Sequence, residues 1–192
     1  MKLVNPVDLK TFLGVETTNQ DAVLDMFNDL VSSRIESWLN RTLKKDKYDQ
    51  FFNSGRRHYY LPAYPIDTTE TLTVTYSGSE QTLNSDYFVW ENEGLIEFYV
   101  EPAYIQPKEI EIAWTGGYEE VTSGGNAYLT GLPDAIVLAA MIQIAFSFRR
   151  RKDIGLVSVS MPDGSITKNA PLKLLEEVKE ILSPYRRAPM VR

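Results

Sequence analysis

Cysteine is absent from the 192 residues, which excludes disulfides and thiolate metal sites and leaves the redox compartment open. Histidine occurs once, as His58. One imidazole cannot supply the paired ligands of a helical or HxH zinc site, and no Ser–His or Cys–His nucleophile pair assembles around it. Flanked by Arg57 and Tyr59, it reads as a surface histidine at a strand edge. Phosphate-loop signatures are missing too. "TGGY" (115–118) and "SGGN" (123–126) lack the helix start that would aim backbone amides at a phosphate, so they read as turns. Long apolar runs are lacking as well. The longest, "AIVLAAMIQIAFSF" (135–148), falls short of the roughly 20 residues a membrane span needs and carries Gln143. The opening "MKLVNPVDLK" has no apolar stretch of signal-peptide length. The chain therefore reads as soluble and cytoplasmic, with no membrane partner.

Basic residues are nearly missing from one region. Between Tyr59 and Glu120 there are twelve acids and a single base, Lys108, whereas from Arg149 onward ten bases face five acids. The whole chain carries −6. Such polarity bears on partners and assembly, not on fold. What the chain has in quantity is apolar and aromatic material. It is 43% hydrophobic, with eleven tyrosines, eight phenylalanines and three tryptophans, enough for a core and for interfaces.

Periodicity orders the elements. Asn5 and Pro6 form a cap and first-turn pair for a short helix through Leu13, stopped by Gly14. From about Asp21, Val23, Leu24, Phe27, Leu30, Val31, Ile35, Trp38 and Leu39 recur at helical spacing. "TLTVTY" (71–76) and "EIEIAW" (109–114) alternate as strands, the latter setting Glu109 and Glu111 against Ile110, Ile112 and Trp114. "YFVWE" and "LIEFY" flank "NEG" as a hairpin, and "YDQFF" and "HYYL" add edge strands. Pro133 opens a third helix, 133–150, apolar on nearly every side, then "GLVSVSMPDGS" returns to strand and turn. Pro171 opens a last helix carrying Leu172, Leu175, Val178 and Leu182, stopped at Ser183–Pro184. The predicted fold is α+β: a helical bundle of about four helices (1–46 and 130–192) with an inserted antiparallel β region (47–120) and a flexible linker (121–129). The sheet is expected to turn one acidic face to water.

Paired acids such as Glu91 and Glu93, or Glu97 and Glu101, stand among Trp90, Phe98 and Tyr99, and could line a glycosidase cleft. Acids alternating outward on strands are more often a solvated face. No cofactor, metal or catalytic residue is assigned, and "NRT" (40–42) is a chance sequon. The third helix offers more apolar surface than a small bundle buries, so Ile136, Met141, Ile142 and Phe146 are candidate subunit contacts. Arg149, Arg150, Arg151 and Lys152 end that helix where its dipole favours cations, yet four exceed what capping needs. With a pI of about 4.9, a basic cluster docking on an acidic protein surface fits better than a nucleic-acid grip.

The order of features resembles the head–tail connector (head-completion, or adaptor) proteins of tailed double-stranded DNA bacteriophages. The carrying residues are "DLKTFLGV" with "SRIESWLNR", "LPAYPIDTTETLTV", "WTGGY" before "LPDAI", "GLVSVSMPDGS" and "ILSPYRR". The resemblance implies a non-enzymatic structural protein of the virion head–tail junction, made in the host cytoplasm. It would form a dodecameric ring beneath the portal protein, pass DNA through its channel without specific binding, and seat a tail or stopper protein. On that reading Arg149, Arg150, Arg151, Lys152, Tyr185, Arg186 and Arg187 are portal-docking candidates. Two alternatives stay open. One is a β-rich module binding a glycan or a phage surface protein on a helical base; the other is a carboxylate-dependent hydrolase.

Overall fold

The computed structural model describes residues 1–151 and 173–187, together with the backbone of 159–160 and 166–167. Lys152, Lys168, the expected helix opening at Pro171–Leu172, and residues 188–192 lie outside the described residues. Four α-helices and antiparallel strands make an α+β fold, as the periodicities predict. The chain forms two compact units, Met1–Leu39 with Val121–Arg192, and Asn40–Glu120.

In the first unit, α1 (Pro6–Leu13) begins where its cap predicts. The Asn5 side chain accepts a hydrogen bond from the Val7 amide, and Gly14 at φ 67° ends the helix. α2 (Asp21–Leu39) buries Leu24, Phe27, Val31, Ile35 and Leu39. Asn40, at φ 53°, ends it in a left-handed conformation that asparagine tolerates. α3 (Asp134–Arg149) packs against α2 and against α4 (Glu176–Leu182). A short antiparallel pair, β10 (Val159–Ser160) and β11 (Ile166–Thr167), stands where "VSMPDGS" predicts strand and turn.

Two expectations fail here. Residues 121–129 are not a linker: β8 (Glu120–Ser123) and β9 (Asn126–Leu129) pair as a hairpin. Gly124 and Gly125 both take positive φ, as a two-residue hairpin turn demands. A tertiary contact invisible in the sequence anchors the hairpin, the Leu129 amide donating to the Lys2 carbonyl at 2.8 Å. The last helix begins at Glu176, later than its leucines suggest. The preceding backbone is engaged elsewhere: Gln143, 2% exposed, donates from Nε2 to the Lys173 carbonyl and accepts from the Leu175 amide.

The second unit begins at Asn40 and ends at Glu120, earlier at its start than the predicted boundary at 47. Its strands form two sheets where one was expected. One has the order β1 (Asp46–Phe52), β7 (Ile110–Gly116), β3 (Leu72–Tyr76), β4 (Ser79–Glu80). The other runs β2 (His58–Tyr60), β6 (Leu95–Phe98), β5 (Tyr87–Trp90). β1 and β2 are edge strands, as predicted. Inward side chains of both sheets join in one cluster that includes Tyr59, Val74, Tyr87, Ile96, Ile112 and Trp114. In β3 and β7 alternation told which residues point inward, but not which strands share a ladder.

Glu109 corrects the expected wet face. It is buried, accepting from the hydroxyls of Ser54 and Ser77 and from the Ile105 amide. Burial pushes its carboxyl up, but these hydrogen bonds together outweigh that and hold it below the ordinary value.

Charge closes the stem of this unit. Lys45 Nζ lies 2.8 Å from Asp67, 2.6 Å from Glu119 and 3.5 Å from Glu70, while Lys44 pairs with Glu120. The entering and leaving chain segments also exchange backbone bonds, Lys45 amide to Tyr118 carbonyl and Tyr118 amide to Leu43 carbonyl. The Lys45 hydrogen bond, with help from Thr69, lowers Asp67 from 3.8 to about 2. A depressed carboxyl contributes stability above its unfolded value and loses it as pH falls through the folded one. Lys45→Met is therefore expected to lower the melting temperature at neutral pH, with the gap to wild type closing as pH falls from about 4 towards 2. Thermal melts at neutral and acid pH check this; a gap that stays constant would show that Lys45 acts by packing alone.

Candidate docking surfaces

The outer face of the β2–β6–β5 sheet carries exposed rings. Alternation drives Tyr87 and Val89 inward and leaves Phe88 and Trp90 outward, 39% and 45% exposed. In register across the sheet, Phe88 stands beside Glu97 and His58, and Trp90 beside Leu95 and Tyr60. Phe88 and Trp90 meet edge to face at 5.4 Å. Glu97 ties the face together. It accepts from Trp90 Nε1 at 3.2 Å, and its other oxygen lies 3.2 Å from Arg57 and 3.6 Å from His58. Glu91, exposed at the end of the strand, accepts from Thr68. Glu91 and Glu97, one from each of the two acid pairs weighed for a glycosidase cleft, thus take part in separate hydrogen-bond sets. Glu97 anchors rings here, and the surface suits docking through aromatic anchors. Sequence reasoning missed it because "YFVW" is apolar at all four positions, so alternation alone could not say which pair faced water.

Helical surfaces divide the predicted subunit contacts. Ile136 is fully enclosed in the core of its own unit, which removes it from any contact surface. Met141, Ile142 and Phe146 are partly exposed, and Leu138 beside them is 46% exposed. On α2, Val23 and Leu30, expected in the core, are exposed together with Met26 as a second apolar stripe. A cleft of about 360 Å³ between α1 and α2 is edged by Lys10 and Asp21, which pair with each other at 2.8 Å.

The basic candidates also separate. Arg149 and Arg150 are exposed at the end of α3. Arg150 stacks on Phe146 at 4.9 Å; Arg151 stacks on Phe148 at 4.1 Å and caps its carbonyl. Tyr185 follows α4 in a single 3₁₀ turn, Ser183–Tyr185. Arg186 lies over Trp38, and the Arg187 amide donates to the Leu39 carbonyl. This part of the tail is therefore docked on the end of α2. Lys152 lies outside the described residues. Among the described residues, no group of three or more His, Asp or Glu side chains is placed to hold a metal ion, and no helix is long and apolar enough to cross a membrane.

The two-unit fold has counterparts among solved structures. One is a chain in the neck of an empty GTA particle computed with C6 symmetry, with TM-score 0.57 and 17% identity over 97% of this chain and 90% of that one. Another, in the virion of a native gene transfer agent (GTA) particle, gives 0.57 and 16% over the same shares. A third, in the neck of a native GTA particle computed with C12 symmetry, gives 0.52 and 15% over 100% and 95%. At such identities the likeness is one of fold. No curated protein sequence matches the chain. The sequence itself is matched by the head completion protein family over residues 2–188. A match running through both the helical unit and the β unit leaves neither as a foreign addition, and the chain belongs to the head completion protein family.

Proposed function

We propose that this protein is a structural head–tail connector, a non-enzymatic ring beneath the portal that passes DNA and seats the tail or stopper. The observation that carries this reading is the family match across residues 2–188. Its fold likeness to chains of symmetric GTA necks supports the ring in particular. On this reading the protein resides in the virion at the head–tail junction, having been made in the host cytoplasm, and the ring is dodecameric.

Within the ring, the partly exposed face of α3, Met141, Ile142 and Phe146, contributes to subunit contact. Tyr185, Arg186 and Arg187 face the portal, where arginine forks onto carboxylates and tyrosine buries a ring with its hydroxyl paired. The acidic balance of the chain suits a channel along which DNA slides without being held. Negative-stain images of the purified protein test the reading, with rings around a central hole as the expected result. Ile142→Asp places a charge in the apolar contact and is expected to leave soluble monomer with an unchanged helical signal. Wild type that stays monomeric even with portal present would sink the ring.

A further inference from the structure

The Phe88–Trp90 face has no role in the reading above, and its chemistry names a partner. The unit that bears it, Asn40–Glu120, holds fourteen acids against seven bases. Glu91 and Glu93 are exposed where β5 ends, and Glu97 lies beside the rings, opposite Phe88 in register and accepting from Trp90. The surface is already ordered, since Trp90 is tied to Glu97, so a partner need not meet the entropy of fixing it. Rings bordered by carboxylates are what a guanidinium seeks, because it stacks on aromatic faces and forks onto carboxylates while losing little hydration. The chain carries positive charge in excess in one place, the segment beginning at Arg149 with ten bases, six of them arginines, against five acids. At its head, Arg149 and Arg150 are exposed where α3 ends. Arginine already stacks on rings within this chain, Arg150 on Phe146 and Arg186 on Trp38.

We propose that the Phe88–Trp90 face of one copy receives the Arg149–Arg150 corner of a second copy. The inference rests on the ring reading and deepens it. A contact between two different surfaces is heterologous, and repeated around an axis it closes a ring. It also gives the uneven charge of the chain a purpose: each copy offers an acidic aromatic surface on one unit and a basic corner on the other.

The natural absence of cysteine supplies the test. Full-length Glu93→Cys, Arg149→Cys and the double variant are treated with a short bis-maleimide and run on denaturing gels, with ring formation by wild type imaged in parallel. The double variant is expected to give a ladder running past dimer. A mixture of the two single variants should give dimer and stop there, and each single variant alone should give monomer. As a second measurement, reversal of Glu91 and Glu93 to Lys, or of Arg149 and Arg150 to Glu, should cut the ring population at least about tenfold. Rings from wild type with no ladder and no effect of either reversal would overturn the contact and leave the ring standing. Neither rings nor ladder would overturn both. A cross-link confined within single chains would overturn the contact, as would dimers from either single variant alone, since those mark a like-with-like interface.

Discussion

Trp114→Ala is expected to unfold the β unit while sparing the helices. Trp114 is 1% exposed at the centre of the cluster shared by both sheets, packs on the Tyr48 ring at 5.4 Å, and donates from Nε1 to the Ala63 carbonyl at 2.9 Å. Truncating a buried tryptophan costs about 3–5 kcal/mol. Leaving the Ala63 carbonyl without its donor adds about 1–3 kcal/mol. A unit spanning Asn40–Glu120 has roughly 4–12 kcal/mol of stability in all, at typical values per residue. The loss is therefore of the same size as the whole. Near-ultraviolet circular dichroism should lose its aromatic signal and urea should unfold this unit at far lower concentration, while the far-ultraviolet helical band persists. Simultaneous loss of the helical band would show that the two units fold as one.

Gln143→Leu is expected to release the C-terminal segment. Gln143 meets both the Lys173 carbonyl and the Leu175 amide, replacing the backbone partners these groups would have one turn inside a helix. Leucine matches its bulk but pairs with neither. Two part-buried backbone groups left without these partners cost up to about 2–6 kcal/mol together. α4 spans only Glu176–Leu182, too short to persist alone in water. It is held by packing, chiefly through Leu174, Val178 and Leu182. The variant should be cleaved by trypsin at Lys173 and Lys179 well before wild type, with α1 to α3 still protected. Gln143→Glu separates hydrogen bonding from bulk. Protonated, it can donate to the Lys173 carbonyl; ionised, it cannot, and burial raises its folded pKa above the unfolded value of about 4.3. Its stability relative to wild type should therefore fall as pH rises through that window. Equal protease resistance of Gln143→Leu and wild type would show that packing alone holds α4.

Helix starts and stops were legible because they are set locally. Asn5, Pro6 and Gly14 fix α1 through a side-chain cap, a locked φ and a left-handed stop, none of which needs the rest of the chain. The same holds for α2 from Asp21 to Leu39 and for α3 near Pro133. Resemblance in the order of motifs reached the family for a related reason: sequence order survives where single motifs are weak.

The candidate surfaces were less legible, because exposure is a property of packing. Val23 and Leu30 fit the apolar series of α2, yet the helix is wide enough that only one flank of that series meets the core. Ile136 and Ile142 are the same residue type on the same helix, one sealed inside and one partly open.

By itself, then, the sequence determined the α+β class, the main helices, the inward faces of β3 and β7 and the segregation of charge. Each of these depends on residues close together along the chain or on simple composition. Tertiary structure alone decided the rest. It split one expected sheet into two and turned a glycine-rich linker into a hairpin against Lys2. It buried Glu109 among hydroxyls and amides, delayed α4 through a glutamine some thirty residues away, and left Phe88 and Trp90 facing water. In each case the deciding partner lies far along the chain, so the hydrogen bond or contact that fixes the outcome exists only once the chain has folded.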